Sequence, residues 1–203
     1  MLSVQNVSLA RGGLALVSGL TFDVTGGQVV IVRGRNGAGK TTLLRAVAGL
    51  GHIDQGDITC AQDPAFSGHA DALKPALTVA ENLAFWVQIY GQCDVAAAVD
   101  AWDLAPLLDR AVSTLSAGQR RRAGLARLVV TGRKLWLMDE PTTALDADFV
   151  ARFEQVLRGH IAQGGAALLS THSALDVPAT TVNLDDYLAP QTAPDTDAWA
   201  GVL

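Results

Sequence analysis

Residues 34–41 run Gly34, Arg35, Asn36, Gly37, Ala38, Gly39, Lys40, Thr41, which is the spacing G-x-x-x-x-G-K-[ST] of a phosphate-binding loop. Nothing else in the chain restricts the fold as much. Ahead of it, Val29 to Val32 is a short apolar, β-branched run that predicts a buried strand. Behind it, Thr42 to Ala48 has the apolar spacing of a helix. Glycines let successive backbone N–H groups turn inward around an anion. The helix start adds partial positive charge. Lys40 is then placed to reach terminal phosphates, and Thr41 offers a hydroxyl to Mg²⁺. Residues 34–42, Thr42 included, form the candidate nucleotide-binding segment. An ordinary glycine turn before a helix explains neither the lysine nor the hydroxyl.

The rest of the chain predicts an α/β domain. Its 203 residues suffice for one such domain, and an apolar content of 49% suffices for its core. Residues 1–33 read as short strands broken at Arg11-Gly12-Gly13 and Gly26-Gly27, the first of them edge-like. From Pro75 to about Leu128 the pattern turns helical. Thr78 and Glu81 make a capping box for one helix, and Val95 to Leu104 forms another. Leu135 to Asp139 returns to a buried strand, Ala147 to Gln163 is an amphipathic helix closed by Gly164-Gly165, and Ala166 to Ser170 is a further strand. A mostly parallel sheet with a helical insert at about 75–128 follows. The domain is expected to span 1–189. Residues 190–203, rich in Pro, Asp, Thr and Ala, read as a loosely held tail in which Trp199 is a possible partner strip.

Charge and cysteine usage exclude some roles. A net charge of −5 argues against a protein that coats nucleic acid, although a local basic patch is compatible with it. Cys60 and Cys93 carry no C-x-x-C and read as small apolar residues in a reducing compartment. No run of about 18 apolar residues exists to span a membrane, so a membrane role requires other chains. Trp86, Trp102 and Trp136 read as core or groove fillers, Arg120 to Arg122 as a solvated helix face or else a contact to nucleotide or partner, and His52 and His160 have no metal spacing.

Two carboxylates, Asp139 and Glu140, close the strand from Leu135. In a phosphate-loop fold, Asp139 suits Mg²⁺ held through water, and Glu140 suits polarisation of an attacking water. Between the loop and this strand lies Leu115, Ser116, Ala117, Gly118, Gln119, alone no more than a capped helix start. Taken together and in this order, the three segments resemble the ATP-binding subunits of ABC transporters. Pro141 to Asp146 resembles the family's segment after its glutamate, and His172 follows the next strand as the family's switch histidine does. The resemblance covers about residues 1–185.

The resemblance implies a phosphate-loop ATPase fold with an antiparallel N-terminal part, and ATP and Mg²⁺ as ligands. It implies head-to-tail pairing, in which Ser116 and Gly118 of one subunit cover the ATP on Lys40 of the other. Asp146 would lie at that interface, and His172 would hold Glu140 and the water in line. Two departures stand out. Leu9-Ala10-Arg11 lacks the family's adenine-stacking aromatic, so either the Arg11 guanidinium stacks instead or base recognition is loose. Ala70 stands where the family has a loop glutamine, leaving Asp71 or His69 to substitute through water.

Gly68-His69, Leu73-Lys74 and Leu77 to Leu83 resemble a subgroup, the haem-exporter ATPases of the cytochrome c maturation (Ccm) system. This implies a peripheral location on the cytoplasmic side of the bacterial inner membrane and partners among small membrane proteins. It implies that the chain energises haem export or release of a haem-loaded chaperone, with no haem ligand set of its own. Export of a lipid, drug or other small molecule would use the same catalytic residues. A soluble ABC ATPase acting on DNA or ribosomes would need a basic face or a coiled-coil insert. An inactive binding module does not fit the intact Lys40, Asp139, Glu140 and His172.

Overall fold

The computed structural model describes residues 1–91 and 94–189. Cys93, Trp199 and the proposed tail lie outside the described residues. The first strand, β1 (Leu2–Arg11), buries Leu2 and Val4, then Val7 and Leu9. The odd step between Val4 and Val7 breaks a period of two, and the pairing register shifts at the same place. Asn6 takes φ 51°, a conformation Asn tolerates better than most residues. The bulge keeps both halves of the strand facing one core.

β1 pairs antiparallel with β2 (Leu14–Val24) on one side and β4 (Gln55–Cys60) on the other. The expectation of an edge strand is therefore corrected: β1 is the centre of a three-stranded sheet. Alternation reports which face is buried and says nothing of how many neighbours a strand has. Nor are these strands short, at 10 and 11 residues for β1 and β2. β4 meets the bulge at Gly56 (φ 83°), where a Cβ would lie 2.4 Å from the carbonyl oxygens of Gln5 and Asn6. Gly56→Ala is expected to cost about 2–4 kcal/mol, from left-handed strain plus overpacking. A denaturation midpoint unchanged from wild type would show that the bulge yields freely.

The second sheet is parallel throughout, in the order β5 (Ala65–Ser67), β6 (Leu135–Asp139), β7 (Ala166–Ser170), β3 (Val29–Arg33), β8 (Thr180–Asn183). β3, β6 and β7 are apolar at almost every position because both of their faces are covered. Val30, Val32, Leu137 and Leu168 pack with the N-terminal sheet and α1 (Lys40–Val47). Ile31, Trp136, Met138 and Leu169 pack on the opposite face against the other helices. β8 was not anticipated, its Thr-rich and largely exposed residues carrying no apolar pattern.

Between β5 and β6 the described chain is helical. α2 (Val79–Tyr90) has the expected capping box, with Thr78 Oγ1 accepting from Glu81 N–H and Glu81 accepting from Thr78 N–H. α3 (Val95–Ala101) is shorter than the expected Val95–Leu104 stretch, since the chain turns through Trp102 and Asp103, the latter at φ 50°. α4 (Ala117–Val130) follows. After β6, α5 (Ala147–Ala162) ends just before Gly164, at φ 77°.

Trp102 and Trp136 are buried and Trp86 half-buried, as core fillers. Trp136 stacks on His160 with ring centroids 3.7 Å apart, and burial pushes the His160 imidazole below its usual pKa. Cys60 is half-buried against the core, and burial raises its thiol.

The arginine triplet is a second correction. Arg121 and Arg122 are 5% and 8% exposed, so no solvated face exists there. Arg122 reaches the carbonyls of Trp102 and Asp103 and lies 3.8 Å over the Phe149 ring. Main-chain carbonyls at strand and helix ends need donors, and a guanidinium supplies five.

Candidate functional site

The carboxyl ends of β6, β7 and β3 are neighbours, and the chain segments leaving them line one cleft of about 680 Å³. Open parallel sheets bind ligands at this end of their strands. From β3 the chain enters the loop at residues 34–39, with Gly34, Gly37 and Gly39 all at positive φ. Gly39 (φ 104°) caps α1 without a side-chain hydrogen bond. The first-turn N–H groups of α1 are thus left for an anion. Asn36, Gly37, Gly39, Lys40, Thr41 and Thr42 line the cleft. Gly34, Arg35 and Ala38 shape the loop from behind. Arg35 N–H is held at 3.2 Å by Asp185, just after β8.

Lys40 is half-buried, and its Nζ donates to the loop's own carbonyls, Gly34 at 2.7 Å and Arg35 at 3.2 Å. Thr41 Oγ1 donates to Asp139 Oδ2 at 2.7 Å, joining α1 to the end of β6. Ser170 Oγ, at the end of β7, donates to Asp139 Oδ1 at 2.6 Å. The same Ser170 hydroxyl and its carbonyl accept from Glu140 N–H, each at 3.1 Å. Asp139 is 2% exposed, and its carboxylate is met by two hydroxyls and by no ion-pair partner among the described residues. A buried carboxylate beside a threonine hydroxyl, at the mouth of a phosphate loop, is a donor set that fits Mg²⁺.

Glu140 holds a left-handed backbone (φ 49°) and directs its carboxylate into the cleft. Oε2 accepts from His172 N–H at 3.3 Å, and Oε1 lies 3.5 Å from His172 Nε2. Oε1 is buried without a hydrogen bond, an unsatisfied acceptor beside His172. His172, just after β7, is largely exposed at the cleft wall. Arg11, Leu14 and Leu16 also line the cleft, with no Phe, Tyr or Trp among the lining residues. His69 also lines it; Ala70 does not.

Other sequence-marked residues stand apart from the cleft. Leu115 is buried, and Ser116 and Gln119 cap their own helix: Ser116 Oγ accepts from Gln119 N–H at 3.2 Å, and Gln119 Oε1 from Ser116 N–H at 3.0 Å. Neither Ala117 nor Gly118 lines the cleft. Asp146 is exposed and caps α5 through Phe149 N–H at 3.0 Å. One residue escaped the sequence reading and another was misread. Ser170 carries a polar atom at the end of an otherwise apolar strand, which was its only signal. Arg121 reaches the main chain behind Asp139 and Glu140.

A family model described as ABC transporter matches residues 17–143. The cytochrome c biogenesis ATP-binding export protein CcmA of Ruegeria pomeroyi is 48% identical over 200 residues, covering 97% of this chain and 98% of that protein. The chain belongs to the CcmA family of ABC transporter ATP-binding proteins. Its fold agrees with this membership. A putative ABC transporter ATP-binding protein from Pyrococcus furiosus superposes with TM-score 0.81 at 22% identity, over 93% of this chain and 99% of that one. The ATP-binding cassette MJ0796, in a dimeric post-hydrolysis state bound to ADP and Pi, gives 0.76 at 21% identity, over 85% and 88%. The family resemblance carried by residues 34–41, 115–119 and 139–146, and its subgroup, are both borne out. This CcmA-family chain is an ABC-type ATPase.

Proposed function

We propose that two copies of this chain pair head to tail, and that their ATP hydrolysis energises haem delivery for c-type cytochrome maturation. The observation that carries the chemistry is the unbroken run Thr41, Asp139, Ser170, Glu140, His172 at the mouth of α1. Lys40 leaves its loop carbonyls for the β- and γ-phosphates, and the N–H groups of residues 37–42 surround them. Thr41 and Asp139 would hold Mg²⁺, Asp139 through water, and the chemistry the ion would supply is neutralisation of charge on the phosphoryl oxygens. The Glu140 carboxylate polarises the attacking water, and His172 fixes that carboxylate and faces the γ-phosphate.

Ser116, Gly118 and Asp146 lie outside their own chain's cleft, which fits a role across an interface. In the pair, the start of α4 presents its N–H groups to the partner's nucleotide, so closure completes each site. The haem assignment rests on the CcmA relatives. On this reading the pair works at the cytoplasmic face of the inner membrane, on membrane-spanning partner subunits of the same system. Among the described residues no helix is long and apolar enough to cross a membrane, so the spans belong to those partners.

Deleting the gene in its host and haem-staining membrane and periplasmic proteins tests this. Loss of c-type cytochromes with b-type ones retained, rescued by wild type and not by Lys40→Ala, is the expected result. Unchanged c-type cytochromes would move the chain to another exported substrate with the ATPase assignment intact.

A further inference from the structure

Arg121 stands in the second turn of α4, and all five of its N–H donors face oxygens. Nε donates to Pro141 O at 3.1 Å. Nη2 donates to Asp139 O at 3.1 Å and to Glu140 O at 2.9 Å. Nη1 donates to Gly68 O at 3.0 Å and to Asp71 Oδ1 at 3.1 Å. One planar fork therefore grips three consecutive carbonyls at the end of β6 with one edge, and the loop after β5 with the other. The middle carbonyl belongs to Glu140, whose left-handed backbone is strained and must be held by its surroundings. Drawing the three carbonyls to one side commits the Asp139 and Glu140 side chains to the cleft.

The loop is tightly seated on the same helix. A Cβ at Gly124 of α4 would come within 2.9 Å of Asp71 Cβ. Asp71 is also the one carboxylate paired with Arg121 among the described residues, with its side chain 25% exposed. Ala70 beside it has no polar group to reach the cleft.

We propose that Arg121 is the positioning residue that sets Glu140 for hydrolysis, and that the Asp71–Arg121 pair couples it to the loop Gly68–Asp71. The loop then communicates with the reacting centre from behind, through main-chain carbonyls. This rests on the reading of Glu140 as the group that polarises water.

The complex of this chain with its membrane subunits tests it, by steady-state ATP hydrolysis and fluorescent-nucleotide titration. Arg121→Lys keeps the charge but offers all its donors from one atom, which cannot span both segments. It is expected to lower kcat roughly tenfold to a hundredfold, the scale of a displaced catalytic group, with KM and nucleotide affinity within about twofold. Asp71→Ala sits on a partly exposed loop side chain and leaves α4 intact. It should lower kcat several-fold in the same manner. The deciding readout is the Glu140→Gln background, where neither change should lower the residual rate further, because the group they position is gone. Arg121→Lys with wild-type kcat overturns the proposal, and so does an equal proportional loss in the Glu140→Gln background, the mark of a merely structural role. A wild-type complex that does not hydrolyse ATP, or a Glu140→Gln complex that hydrolyses it normally, overturns the site reading and the proposal with it.

Discussion

Glu140→Gln is expected to cut ATP hydrolysis roughly a hundredfold to ten-thousandfold, the usual worth of a positioned general base, while nucleotide affinity stays within about twofold. The substitution is nearly isosteric. A glutamine oxygen can still accept from His172 N–H, as Glu140 Oε2 does at 3.3 Å, so the local frame survives. What is lost is the basicity of the carboxylate at the cleft wall, whose Oε1 has no hydrogen bond of its own. Charge is lost too, but this falls on the water and not on Lys40 or the loop N–H groups, so binding is spared. With hydrolysis blocked and ATP retained, the closed pair should accumulate. Sizing in saturating ATP–Mg²⁺ is then expected to show a dimer for the variant and a shorter-lived one for wild type. Unchanged hydrolysis would remove Glu140 from its proposed role and shift attention to His172, whose Nε2 lies 3.5 Å from the same carboxylate.

How much of this was legible in the sequence differs with the range of the contact. The phosphate loop, the Asp139–Glu140 strand end and His172 are each written in a few consecutive residues, and their chemistry is local. Their convergence followed from strand ends that a parallel sheet must bring to one edge. Ser170 was not legible, because its hydroxyl matters only through β7 lying between β3 and β6, a pairing no single strand encodes. Arg121 was misread for a similar reason. Three adjacent arginines resemble a solvated face, and burial of the middle one depends on carbonyls about 20 and 50 residues away in sequence. The central place of β1 was hidden because its second neighbour, β4, arrives only after β3 and α1 in the chain. Its bulge, by contrast, was written in the broken alternation from Val4 to Val7.

Lys40→Ala is expected to act at the opposite step and to abolish nucleotide binding at millimolar ATP. Lys40 Nζ holds two loop carbonyls, Gly34 and Arg35, so the ammonium lies inside the curve of the loop beside the cleft. Bound phosphates would replace at least two neutral acceptors with charged ones. Hydrogen bonds to charged groups contribute about 1.5–3 kcal/mol each. Losing two such bonds corresponds to roughly a hundredfold to ten-thousandfold in Kd. The loop itself should keep its shape, because its turns are set by Gly34, Gly37 and Gly39, and Arg35 N–H is braced by Asp185. Stability without ligand should therefore change little, and thermal unfolding separates the two effects. At ATP a hundredfold above Kd, wild type gains about 2.7 kcal/mol and a raised Tm, and Lys40→Ala should gain neither. Glu140→Gln should keep that shift in full. If Lys40→Ala retained the ATP-dependent shift, the phosphates would have to be held by α1 and the loop N–H groups alone, and the lysine would be a brace for the loop instead of a ligand for the nucleotide.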